Sequence, residues 1–160
     1  MSCSAIAVAL MIVSADPTVV AAAPSAPAAT MVTGMSVASE PLFADIIGRS
    51  RTLKGAVDQW LASGAAQDAA FASRPDFAAF RAEAAALSAK DMEGHVTLRE
   101  RGTDGDLKCI LRGMSEDLPV RVEALAGAAA PAERATVMAE LAALLDDHAA
   151  VIEAPSQPPA

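Results

Sequence analysis

The stretch LKCILRGMSEDLPVRVEAL, residues 107–125, decides how this chain folds. Leu107, Ile110, Leu111, Met114, Leu118, Val122 and Leu125 recur at steps of three and four, the spacing of one face of an α-helix. The cluster Gly102-Thr103-Asp104-Gly105-Asp106 just before it supplies a turn and an N-cap. Pro119 falls inside the stripe and predicts a kink, or a restart with Asp117 as the new cap. The competing reading uses the β-branched alternation in His95-Val96-Thr97-Leu98-Arg99. It pairs residues 96–100 with residues 107–111 as a short β-hairpin around the same turn.

Three further segments carry helical stripes. Leu42, Phe43, Ile46, Ile47, Leu53, Val57, Trp60 and Leu61 form the first, opened by Ser39-Glu40-Pro41 and stopped by Ser63-Gly64. Residues 65–74 then read as a loose Ala-rich connection. Phe77, Phe80, Ala84, Leu87 and Asp91 trace a heptad in the second, which Gly94 interrupts. The fourth starts at Ala130-Pro131, carries Val137, Leu141, Leu144, Leu145, His148, Val151 and Ile152, and stops at Ala154-Pro155. Four helices with one apolar face each and short connections predict an all-α, antiparallel four-helix bundle over residues 40–154. All five aromatics lie between Phe43 and Phe80, so the first two helices supply the bulk of the core. Residues 155–160 read as a frayed tail.

Upstream of Glu40 the only charge is Asp16. The run AIAVALMIV, residues 5–13, followed by small residues to Ala15, resembles the apolar core and cleavage site of a secretory signal, although no Lys or Arg precedes it. A membrane span needs about 20 apolar residues, and Asp16-Pro17 would lie in its middle. Residues 1–15 are therefore expected to be a signal peptide, residues 16–39 a disordered Ala/Pro-rich linker, and the mature chain to have no transmembrane span. A disordered cytoplasmic tail is the alternative. Cys3 would leave with the signal, so no intramolecular disulfide is expected. The excess of Arg over Lys and the abundant Ala fit a high-GC bacterial genome.

The chain has 160 residues and a net charge of −8. Hydrophobic residues make up 53%, nearly half of them Ala, and aromatics only 3%. That composition argues against nucleic-acid binding, which uses exposed rings over a basic groove and cations against phosphates. Ser residues lie in no GxSxG setting, and Glu116-Asp117 and Asp146-Asp147 point apart on their helices, so no catalytic constellation is expected.

Two sets of residues carry candidate sites. An up-down-up-down path maps His95, Cys109 and His148 to one pole, where imidazole and thiolate could bind a transition metal. A haem would take His148 with Met114 or Met92 as its axial pair. Against this stand the absence of HxxxH or ExxH spacing, the outward register of Cys109 and the position of His148 near a helix C-terminus, where a cation suits the dipole; no cofactor is expected. The second set is Arg99, Arg101, Lys108 and Arg112, a basic group around the turn of an otherwise acidic chain. It could steer an acidic partner.

Arg51-Thr52-Leu53-Lys54-Gly55 resembles the His-x-Leu-Lys-Gly core of histidine phosphotransfer domains, which are four-helix bundles. The phosphoaccepting position is Arg51 here, which has no usable nucleophile. The resemblance implies a cytoplasmic signalling adaptor that lacks phosphotransfer.

The favoured expectation is an exported periplasmic binding protein without catalysis. It would modulate another cell-envelope protein, such as a sensor kinase or receptor ectodomain, docking through Arg99, Arg101, Lys108 and Arg112. Spare apolar stripe would serve a homodimer.

Overall fold

The computed structural model describes residues 36–102 and 105–154. The expected signal peptide, nearly all of the linker and the C-terminal tail lie outside these residues. Four α-helices form the body: α1 (Pro41–Ala62), α2 (Pro75–Arg101), α3 (Gly105–Gly127) and α4 (Pro131–Glu153). Proline opens α1, α2 and α4 because the first turn has no use for its missing N–H. Gly102 ends α2 at φ 69°, in the left-handed region that side chains avoid. No helix among the described residues is long and apolar enough to cross a membrane.

Ion pairs report the directions of the helices. Glu40, just before α1, meets Arg101 at the end of α2 at 2.8 Å, while Trp60 near the end of α1 donates to Asp76 at the start of α2. Arg81 on α2 pairs with Glu123 near the end of α3, and Arg51 on α1 with Glu153 at the end of α4. α1 and α2, and likewise α2 and α3, therefore run in opposite senses. The bundle is built from two close pairs, α1 on α4 and α2 on α3.

No strand occurs among the described residues, so the hairpin reading of residues 96–111 is overturned. Residues 96–100 continue α2 and residues 107–111 belong to α3. Leu98 and Leu111 are both fully buried, which the helical register achieves and a two-stranded ribbon could not. Gly94 does not interrupt α2. A Cβ there would stand 3.0 Å from Leu111, 3.3 Å from Phe43 and 3.4 Å from Ile46, so the missing side chain lets α2 lie close against α1 and α3. Pro119 neither breaks nor restarts α3. It is exposed, and its missing N–H leaves the Ser115 carbonyl without its helical donor.

The connection at residues 65–74 is not loose. It contains two short 3₁₀ turns, Ala65–Gln67 and Phe71–Ser73, and buries Ala65, Ala66 and Phe71. Phe71 meets Trp60 edge-on at 5.1 Å and Phe77 at 4.9 Å, and Trp60 also packs on Phe80 at 4.9 Å. Such contacts add about 0.5–1.5 kcal/mol each to the burial itself. Packed structure also begins before Glu40. The 3₁₀ turn Val37–Ser39 buries Val37, and Ser36 Oγ donates to the Ile152 carbonyl at 3.2 Å, tying this segment to the end of α4.

Candidate functional site

The heptads of α1, α2 and α4 bring three polar side chains to the centre of the bundle. Ser50, Asp91 and His148 are 0%, 0% and 1% exposed. Ser50 Oγ donates to the Ile46 carbonyl at 2.9 Å and lies 3.0 Å from His148 Nδ1. On the other side of the ring, His148 Nε2 lies 3.1 Å from Asp91 Oδ1. That approach is off the ideal line, and Asp91 Oδ1, Asp91 Oδ2 and His148 Nε2 have no well-directed hydrogen bond among the described residues. Burial pushes the Asp91 carboxyl up, against the downward pull of the hydrogen bond and charge of His148.

A Ser–His–Asp row invites comparison with nucleophilic catalysis. The hydroxyl proton of Ser50 is committed to a backbone carbonyl, and the whole row is closed off from solvent. A catalytic serine needs its Oγ within reach of a substrate carbonyl. The open cleft of about 410 Å³ in the α1–α2 seam lies elsewhere, among Asp45, Gly48, Arg49, Thr52 and Glu83. There Arg49 bridges Asp45 at 3.0 Å and Glu83 at 2.8 Å.

The three residues expected to share a metal pole occupy different surroundings. His148 is in the central row. His95 is half-buried between α2 and α3, its Nδ1 2.7 Å from the Lys108 carbonyl. Cys109 is exposed, on the outward side of α3 as its register indicated. Among the described residues no group of three His, Cys, Asp or Glu side chains could hold a metal ion. Ser50 and Asp91 face the two nitrogens of His148.

Of the basic group, Arg101 is held by Glu40 and Arg112 by Glu116 at 3.0 Å. Arg99 is exposed and Lys108 half-buried, with no side-chain partner for either among the described residues. The string at residues 51–55 lies on α1. Leu53 is core, while Arg51 is exposed and its Nη2 donates to both Glu153 carboxylate oxygens, at 2.7 and 2.8 Å.

At the opposite pole Arg134, 5% exposed, has carbonyls as its partners. Its Nη1 donates to Ala66 at 2.6 Å and Asp68 at 2.9 Å, its Nη2 to Ala128 at 2.8 Å. Its guanidinium also lies 5.8 Å from the Phe71 ring centroid. Sequence reasoning missed Arg134 and Ser50, since neither fits an apolar stripe. The usable signal for the central row was Asp91, a carboxylate on a core heptad position, together with His148 on the core stripe of α4.

The chain has no match among protein families, curated proteins or solved structures.

Proposed function

We propose that the chain is a small, exported helical binding module without catalysis, which modulates a protein of the cell envelope. The observation that carries this reading is how the chain uses its reactive side chains. The Ser50–His148–Asp91 row is enclosed and spent on internal contacts. Most surface cations are ion-paired, some across helices, yet Arg99 and Lys108 at the α2–α3 pole have no side-chain partner among the described residues. A basic knob on a chain of net charge −8 orients it toward an acidic patch on the partner. The apolar run at residues 5–13 supports export and a periplasmic location.

The test has two arms, both in cells making the full chain. Fractionation and intact mass are expected to find a periplasmic species beginning near Asp16 or within the linker. A photo-crosslinker at the neighbouring exposed Ile110 is expected to give a discrete adduct that Arg99→Glu with Lys108→Glu abolishes, with unchanged helical circular dichroism. A full-length cytosolic species, or an adduct indifferent to the charge reversal, overturns the proposal.

A further inference from the structure

We propose that the Asp91–His148 junction holds a single proton that keeps the two helix pairs together, so that the bundle loosens as the pH rises above the histidine range. The argument begins with Ser50. Its hydroxyl donates to the Ile46 carbonyl, so its oxygen accepts from His148 Nδ1–H. Two lone pairs 3.1 Å apart in a dry core would repel, so a proton lies between His148 Nε2 and Asp91 Oδ1. With that proton the junction is neutral overall. Without it, a carboxylate with two poorly satisfied oxygens is enclosed with a neutral ring. The upward push of burial on Asp91 agrees in sign. Position makes the junction a latch: Ser50 and His148 belong to the α1–α4 pair and Asp91 to the α2–α3 pair.

No other charge can substitute. On α1, Arg49, Arg51 and Lys54 are engaged at the surface by Asp45 and Glu83, by Glu153 and by Asp58. On α2, Lys90 and Glu93 pair with each other, and on α3 Arg112 pairs with Glu116. Asp146 and Asp147 of α4 face solvent. Only His148 shifts Asp91 by charge.

In an unfolded chain the Asp and His together carry no proton above about pH 6.5. The folded junction carries one, so folding takes up a proton there. The folding constant is then expected to fall about tenfold per pH unit above pH 6.5. The experiment is urea unfolding of the full chain from pH 6 to 9, followed by Trp60 fluorescence, for wild type and Asp91→Asn. An Asn amide can donate to Nε2 without a titrating proton, so the variant should lose the slope; any slope it keeps belongs to other groups. Equal slopes in both proteins, or a flat wild type, overturn the proposal. Should Asp91→Asn not fold, imidazole ¹⁵N shifts of the wild type decide. The His148 shifts are expected to stay constant from pH 5.5 to 8, and shifts that move across that range are the contrary result.

Discussion

His148 Nε2 approaches Asp91 Oδ1 to 3.1 Å with neither side chain open to solvent, although the two residues sit on α4 and α2, which are not close packing partners. The row they form with Ser50 crosses a core of Leu, Ile, Val, Phe, Trp, Met and Ala. An enclosed pair of this kind contributes little net stability, since the cost of desolvation offsets the attraction. Breaking it is different, because the survivor keeps its desolvation cost without its partner.

Asp91→Ala and His148→Ala are each expected to destabilise the bundle by about 3–5 kcal/mol. Replacing both by Ala should cost clearly less than the sum of the two losses. Urea denaturation monitored through Trp60, the single tryptophan, measures all three variants. The decisive quantity is the coupling term. If the double variant is as unstable as the sum of the single ones, the two side chains do not act as a pair.

The helical glycines separate close packing from helix propensity. A Cβ at Gly55 or Gly113 meets nothing within 4 Å, so Ala at either position should add up to about 1 kcal/mol, the propensity difference. At Gly94 the new Cβ would press on Leu111, Phe43 and Ile46, which are all fully buried. Overpacking costs about 1–3 kcal/mol, so Gly94→Ala should be neutral to destabilising and Gly94→Leu clearly destabilising. Thermal unfolding of the series checks this; a stabilised Gly94→Leu would mean that α2 does not lie as close to α1 and α3 as described.

Much of the fold was legible because it follows from the spacing of large apolar residues. The stripe from Leu107 to Leu125 placed Leu111, Met114, Leu118, Val122 and Leu125 in the core, where they are. Local rules failed where a tertiary contact overrides them. Gly94 reads as a break until Leu111 and Phe43 are seen to need its space, and residues 65–74 read as a loose joint until Phe71 is seen under Trp60. The central row was half legible. The heptads placed Asp91 and His148 inward, but no spacing rule reports that residues 50, 91 and 148 share one level of a bundle.

Arg134 is expected to be the main support of the pole opposite the α2–α3 turn. Its two terminal nitrogens join the Ala66 and Asp68 carbonyls of one connection to the Ala128 carbonyl of the other. Arg134→Met would leave these acceptors unpaired and should cost about 3 kcal/mol. Arg134→Lys should rescue little, since one ammonium cannot span both loops as the planar fork does. Limited proteolysis should show new cleavage within residues 65–73 in both variants. Resistance equal to wild type would place the support elsewhere.

Acid stability should depend on Asp76. The hydrogen bond from Arg74 holds its carboxyl far below the usual carboxylate range, against the opposing effect of burial and with help from the Trp60 indole. Arg101 lowers Glu40 in the same sense at the other pole, chiefly by its hydrogen bond. A folded-state carboxyl held low contributes stability above its unfolded value, about 3.9, and loses that contribution as the pH falls toward the folded value. Asp76→Asn isolates the charge, because the amide oxygen can still accept from Trp60 Nε1, which lies 3.0 Å from Asp76 Oδ2. The variant should be less stable than wild type at pH 7, by a modest amount since Arg74 and Asp76 are well exposed. The difference should start to shrink below pH 4 and be clearly reduced, but not closed, at pH 2. Urea midpoints for the two proteins at pH 7, 4 and 2 measure it, and a difference that persists unchanged at pH 2 would mean that the carboxylate stabilises the α1–α2 corner by geometry and not by its charge.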